Sequence, residues 1–121
     1  MHPKDRTGLV GEELAAEYLH NRGHRILAAR WRSDNGELDL VTEHFGALVA
    51  VEVKTRRGLG FGDPLEAVSH KKLRRIYGLL AQYAAQENLG GQRRRVDVVG
   101  VLLEPQGETY LRIDHLQDVQ R

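Results

Sequence analysis

Two short runs that alternate polar and apolar residues, Glu37-Leu38-Asp39-Leu40-Val41 and Leu48 to Thr55, constrain the fold of this chain more than any other feature. A period of two marks a strand, because successive side chains leave opposite faces of a sheet. In the second run Val49, Val51 and Val53 line one face while Ala50, Glu52 and Lys54 line the other; in the first, Glu37 and Asp39 share a face. The segment His44-Phe45-Gly46-Ala47 between them is short enough to close an antiparallel hairpin. If Glu43 pairs with Leu48, Asp39 stands opposite Glu52 and Glu37 opposite Lys54, all on one face with Cβ atoms about 4.5–5.5 Å apart. A slip of two residues would keep all four on that face, whereas a slip of one would separate the pairs and bury one of them.

Three carboxylates and one ammonium in a patch form a costly arrangement, since facing carboxylates repel and either take up a proton or bind a cation. A hard divalent ion, Mg²⁺ or Mn²⁺, prefers such oxygen ligands. The alternative is that Lys54 and Arg56 neutralise the acids on a solvated sheet face.

At 121 residues the chain is expected to be one domain over 1–121, and 40% hydrophobic with 29% charged residues is ordinary for a soluble protein. It has no cysteine, which removes disulfides and thiolate metal sites and fits a reducing cytoplasm. The N-terminal MHPKDRTG lacks an apolar signal core and no run is long enough to span a bilayer, so a soluble, unsecreted, cytoplasmic protein without a membrane partner is expected. The net charge is only +1, but the basic residues cluster: Arg30 and Arg32; Lys54, Arg56 and Arg57; Lys71, Lys72, Arg74 and Arg75; Arg93 to Arg95. Such clusters suit a surface that tracks a nucleic-acid backbone beside an acidic site, or simply solubilise. No strand face is rich in aromatics, so contacts to the backbone rather than to bases are expected.

In chain order, a helix is expected over Thr7–Arg22, closed by Gly23, with Leu9, Val10, Leu14, Tyr18 and Leu19 as its apolar stripe. Glu12 borders that stripe and either points along the sheet toward the patch or remains a surface acid near the helix N-terminus. Arg25–Trp31 reads as a strand, and Trp31 reads as a packing residue or a base-stacking one. After the hairpin, Arg57–Pro64 reads as a flexible flap carrying Phe61; it lacks the ending of a phosphate loop. Ser69 caps a second helix running to about Asn88, with Leu73, Ile76, Tyr77, Leu80 and Ala84 inward and Lys71, Arg74 and Arg75 on the neighbouring face. Gly90-Gly91 ends it. Two strands follow, Arg95–Leu103 and Thr109–Asp114, joined by a turn at Pro105–Gly107.

The six histidines show no paired ligand spacing, which speaks against zinc, and neither a Gly-x-Ser-x-Gly elbow nor a cysteine nucleophile is present. What survives is the carboxylate-lysine patch.

Asp39 followed by Glu52-Val53-Lys54 resembles the D…(D/E)-x-K signature of the PD-(D/E)XK nuclease superfamily, with no proline before the Asp. The wider string is more specific: GEELAAEYL, GELDLV, VAVEVKTR, FGDPLEAV, the Lys71-to-Ile76 helix and RVDVVGV, in this order. Together they resemble the YraN-like (UPF0102-type) family of small bacterial proteins, whose fold is similar to archaeal Holliday junction resolvases. Arg30, where that family usually has a small polar residue before the aromatic, and Asp34, where a basic residue is frequent, depart from the pattern.

The resemblance implies an α/β, restriction-endonuclease-like mixed sheet flanked by helices, with a central antiparallel hairpin carrying the acidic site. It implies a Mg²⁺- or Mn²⁺-dependent endonuclease that hydrolyses phosphodiester bonds in DNA, branched or structured DNA included. Asp39 and Glu52, with the Val53 carbonyl, would hold the ion. Lys54 would position or deprotonate the attacking water and stabilise charge on the phosphorane-like oxygens. Glu12 matches an acid that resolvase-like members bring from the first helix, and Glu37 would sit beside Lys54 as a supporting acid or a ligand of a second ion. Arg32, Arg56, Arg57, Lys71, Arg74 and Arg75 would follow the nucleic-acid backbone. A chain of this size would cut two strands as a symmetric homodimer. The alternative is a nucleic-acid-binding or scaffolding module that keeps the patch with little turnover.

Overall fold

The structure, a computed structural model, describes residues 3–58 and 68–120. Helix α1 (Pro3–Asn21) leads into three consecutive strands, β1 (Arg25–Ser33), β2 (Gly36–His44) and β3 (Ala47–Arg57); α2 (His70–Gln86) then precedes β4 (Arg94–Leu103) and β5 (Tyr110–Leu116). The sheet runs β1-β2-β3-β4-β5. All neighbouring pairs are antiparallel except β3 and β4, which are parallel. The parallel step coincides with α2, the crossover such a connection requires. Residues 59–67, which hold Phe61, most of the expected flap and all but the last residue of the FGDPLEAV string, lie outside the described residues.

Local sequence accounts for most element ends. Gly23 at φ 90° closes the first helix, and the β2–β3 turn places Phe45 and Gly46 at φ 49° and 78°, the double left-handed geometry of a two-residue hairpin loop. Ser69 caps α2, its hydroxyl accepting from the Lys72 N–H at 3.1 Å. Helix α2 stops earlier than Gly90-Gly91 would suggest: Asn88 takes the left-handed turn at φ 59°, and the Leu89 N–H returns to the Ala84 carbonyl at 2.7 Å. Asparagine tolerates that conformation and can replace glycine there.

Both faces of the sheet are covered. On one, Val10, Ala15 and Leu19 of α1 pack on Leu40, Val49, Val51, Val53, Val99, Val101 and Leu103. On the other, Leu73, Ile76, Leu80 and Tyr83 of α2 pack on Leu38, Val41, Leu48, Ala50 and Val96. Strand β3 feeds both cores by alternation, which explains why Ala47–Val53 is buried without a break. Trp31 stands edge-on to Tyr83, with ring centroids 5.6 Å apart, and so serves packing. Among the described residues no helix is long and apolar enough to cross a membrane.

One irregularity positions the site. Strict alternation would put Leu38 and Leu40 on the same face, yet Leu40 belongs to the α1 core and Leu38 to the α2 core. Their partners on β1 are Ala29 and Trp31, and between those stands Arg30 at φ 53°. A left-handed residue in a strand reverses the pleat locally. The expectation that Glu37 and Asp39 simply share a face therefore fails: the pleat is broken at Asp39, the residue between the two leucines.

Candidate active site

The β2–β3 ladder adopts the expected register, Glu43 against Leu48, and continues to Leu40 against Val51. Beyond it, β2 pairs only with β1 and β3 only with β4 among the described residues. At the point where the two strands part, the Val53 N–H donates to Asp39 Oδ2 at 2.8 Å. A side-chain carboxylate thus serves as the acceptor for a β3 amide, which draws Asp39 toward β3. Glu52, the next residue of β3 in this register, is 9% exposed.

Three further groups reach this point. Lys54 Nζ lies 3.5 Å from Glu52 Oε1, and Lys72 Nζ, from the first turn of α2, lies 2.8 Å from the same oxygen. Glu12 comes from α1 and is held by Arg30, whose Nε donates to Glu12 Oε1 at 2.9 Å. Glu37 does not meet Lys54 as the hairpin register suggested. With the pleat reversed, it turns to Arg32 Nε at 2.8 Å, though its charge still acts on Glu12.

The electrostatics follow from this crowding. Burial, then the facing Glu52 carboxylate, push Asp39 up to about 7, against the lowering effect of the Val53 N–H. Burial also raises Glu12, and Arg30 only partly offsets it. Lys54 is lowered by burial and by the neighbouring Lys72. Burial works against the Lys72 ammonium too, but its contact with Glu52 carries it above the usual value. Glu52 is buried and Asp39 partly buried, and both are oxygen donors whose mutual repulsion a divalent cation would relieve, so the donor set fits Mg²⁺ or Mn²⁺.

Lys72 is the group missing from the sequence-based set, and a signal for it exists. It lies four residues before Ile76 and seven before Leu79, on the inward stripe of α2 extended by one turn. A lysine on a buried stripe calls for a partner, and Glu52 is that partner.

The expected phosphate-following residues divide. Lys71, Arg74 and Arg75 are exposed on α2, and Ser69, Lys71, Lys72 and Arg75 line a shallow cleft of about 190 Å³ at its start. Arg32 is exposed at the β1 edge. Arg56 donates to the Thr55 carbonyl at 3.1 Å. Arg57 is engaged internally: its Nε donates to Thr7 Oγ1 at 2.9 Å and its guanidinium reaches the Gly107 carbonyl at 2.6 Å, tying α1 and the β4–β5 turn to β3.

A second polar cluster lies on the α1 face around Asp97, whose partner on β3, Val51, is next to Glu52. His24, Asp97 and His115 bring one ligand-type atom each within 4.8 Å, a grouping that sequence spacing did not reveal. Asp97 is fully occupied, however. It accepts from Arg95 Nε and a terminal guanidinium nitrogen at 2.9 and 3.0 Å, and from the Asp118 N–H at 3.0 Å, and contacts His115 Nε2 at 2.8 Å. A cation there would compete with the Arg95 guanidinium for the same oxygens.

The fold and the cluster describe a mixed α/β protein whose five-stranded sheet lies between two helices and buries an acidic group where its central antiparallel pair opens. Comparison with known proteins places it further. The model of the Uncharacterised protein family UPF0102 matches residues 11–101, a span that holds Glu12, Asp39, Glu52, Lys54 and Lys72. A UPF0102 protein of Paenarthrobacter aurescens (strain TC1) is 42% identical over 98% of this chain and 97% of its own. Another, from Nocardia farcinica (strain IFM 10152), is 46% identical over 96% of this chain and 90% of its own. The chain belongs to the UPF0102 family.

Proposed function

We propose that the chain is a metal-dependent endonuclease of the PD-(D/E)XK type, hydrolysing phosphodiester bonds in DNA, branched or structured DNA included. The observation that carries this reading is the convergence of Asp39, Glu52 and Lys54 where β2 leaves β3, with Asp39 pushed up to about 7 by burial and then by Glu52. Asp39, Glu52 and the Val53 carbonyl would hold Mg²⁺ or Mn²⁺, which supplies Lewis acidity toward a phosphate oxygen. Lys54, whose ammonium burial makes easier to deprotonate, orients the attacking water and, as the neutral amine, takes its proton as the new P–O bond forms; the P–O bond to the leaving nucleotide breaks, and its oxygen takes a proton from solvent to leave as a hydroxyl. Glu12 and Arg30 form the wall of the site on the α1 side, while Lys71, Arg74 and Arg75 offer cations to the flanking phosphates. Paired cutting in a cytoplasmic homodimer completes the reading.

A second reading has its own observation. The Lys72 ammonium already neutralises Glu52, so the site is electrically tolerable without metal, as a nucleic-acid-binding or scaffolding module would need. The two separate on labelled linear, single-stranded and four-way DNA incubated with Mg²⁺ or Mn²⁺, beside Asp39→Asn and Lys54→Ala. Cleavage lost in both variants is the expected result. Binding without cleavage at every metal concentration would overturn the nuclease reading.

A further inference from the structure

The two outer strands of the sheet differ in how their edges are protected. β1 carries Arg25, Arg30 and Arg32, each already paired with an acid of its own chain, and is bent by a left-handed residue at Arg30, so its edge offers neither apolar surface nor a regular ladder to a second copy. β5, Tyr110–Leu116, has no strand beyond it among the described residues. Tyr110, Leu111 and Leu116 are 49%, 52% and 47% exposed, and they are three of the four large exposed hydrophobics among the described residues. The fourth, Phe45, sits at a hairpin tip.

The order of residues in β5 is self-complementary. Paired antiparallel with a second copy and centred on Ile113, Arg112 stands opposite Asp114 of that copy and Asp114 opposite its Arg112. Leu111 stands opposite His115. Within one strand Arg112 Nε already lies 2.7 Å from Asp114 Oδ2, so the two charges share a face, and two strands would build a ladder of four alternating charges. We infer that β5 is the contact between two copies of this chain, which join their sheets through a two-fold axis at Ile113.

The packing around the strand agrees with this. Ile113 rests against the α1 core, and a cleft of about 390 Å³ lined by Leu14, Tyr18, Tyr110 and Ile113 runs between α1 and β5. A two-fold axis normal to the sheet sets both α1 helices on one face, with their clefts adjoining across the seam. The bulge where Leu102 and Leu103 shift register against Arg112 and Tyr110 limits regular pairing to the stretch around Ile113. An interface this short belongs to the weak, concentration-dependent class.

Charge reversal tests the pairing without depending on one fragile variant. Arg112→Asp leaves acids at both positions and Asp114→Arg leaves bases at both. Sedimentation of the full chain over a concentration series should show a reversible dimer for the wild type, weakened roughly tenfold or more in each single variant, where like charges oppose twice. An equimolar mixture of the two single variants should dimerise again, because each acid now faces a base, and the double variant should dimerise alone. Restoration on mixing also establishes that both variants are folded. A wild type that stays monomeric to its solubility limit, a dimer indifferent to the single reversals, or a mixture that remains monomeric would each overturn the inference.

Discussion

The Lys72 ammonium stands 2.8 Å from Glu52 Oε1, closer than Lys54 at 3.5 Å, so the residue the signature leaves out makes the shorter contact with the central carboxylate. It places a built-in cation against one of the two acids proposed to hold the metal. Cation binding must then displace or tolerate that charge. Lys72→Met should raise Mn²⁺ affinity by a few-fold to about tenfold, a modest figure because Lys72 is partly solvated. Calorimetric titration measures this directly, with Asp39→Asn as the non-binding control. An unchanged or weaker affinity in Lys72→Met would mean that the ammonium does not compete.

Asp39 gives a pH signature of the opposite sign to most acids. Its folded value of about 7 lies above the 3.8 of a free aspartate, so the folded chain binds the extra proton between those limits and loses stability as pH rises through them. Asp39→Asn keeps an acceptor for the Val53 N–H and removes the charge. The variant should be more stable than wild type at pH 8, by on the order of 1–3 kcal/mol, with the difference shrinking toward pH 4. Urea unfolding at both pH values in metal-free buffer measures this, and equal stabilities at pH 8 would place Asp39 outside the repulsive pair. Metal must displace the same proton, so Mn²⁺ affinity should fall about tenfold per pH unit below 7.

The elements and the hairpin register are legible in the sequence because period-two alternation, Ser69, Gly23 and the Phe45-Gly46 turn are local signals. The reversal of the pleat at Arg30 is not. It is a backbone conformation forced on a residue with no turn propensity, and it decides that Glu37 meets Arg32 rather than Lys54. Lys72 reads in the sequence only as one of a basic cluster; its place one turn before Ile76 is a usable signal, but which partner it meets depends on how α2 lies on the sheet. The Asp97 network depends on strand order throughout, since its members come from the α1–β1 connection, β2, β4 and β5.

That network predicts the acid limit of the fold. Burial, then His44, lower His24 to about 4, so the unfolded chain binds more protons between 6.5 and 4 and stability falls as pH drops through that window. Burial opposes the Asp97 charge, but His115, Arg95 and the Asp118 N–H overcome it and hold the carboxyl at about 2; its contribution is complete above 3.8 and is lost from there down to 2. His24→Gln should flatten the stability profile between pH 6.5 and 4, read from thermal melts across that range. Asp97→Asn would leave the Arg95 charge buried and unpaired, at a cost of about 3–5 kcal/mol at neutral pH. A variant that loses less than about 1 kcal/mol would show that Arg95 finds water instead.

Gly11 fixes the approach of α1 to β3, one residue before Glu12. A Cβ built there would lie 1.9 Å from Thr55 Oγ1 and 2.8 Å from Thr55 Cβ, and side-chain rotation can move the first atom but not the second. Gly11→Ala gains helix propensity worth up to about 1 kcal/mol, yet overpacking against a buried strand costs about 1–3 kcal/mol, so a net loss of stability is expected. Thr55→Ala in the same chain removes the hydroxyl contact but keeps the Cβ contact, so it should recover only part of that loss. Because α1 moves as a rod, the displacement also carries Glu12 off the Asp39–Glu52 pair. Gly11→Ala should therefore weaken Mn²⁺ binding along with stability. Denaturant midpoints and metal titrations on the single and double variants measure both quantities, and a stable Gly11→Ala with unchanged metal affinity would show that α1 sits farther from β3 than this contact requires.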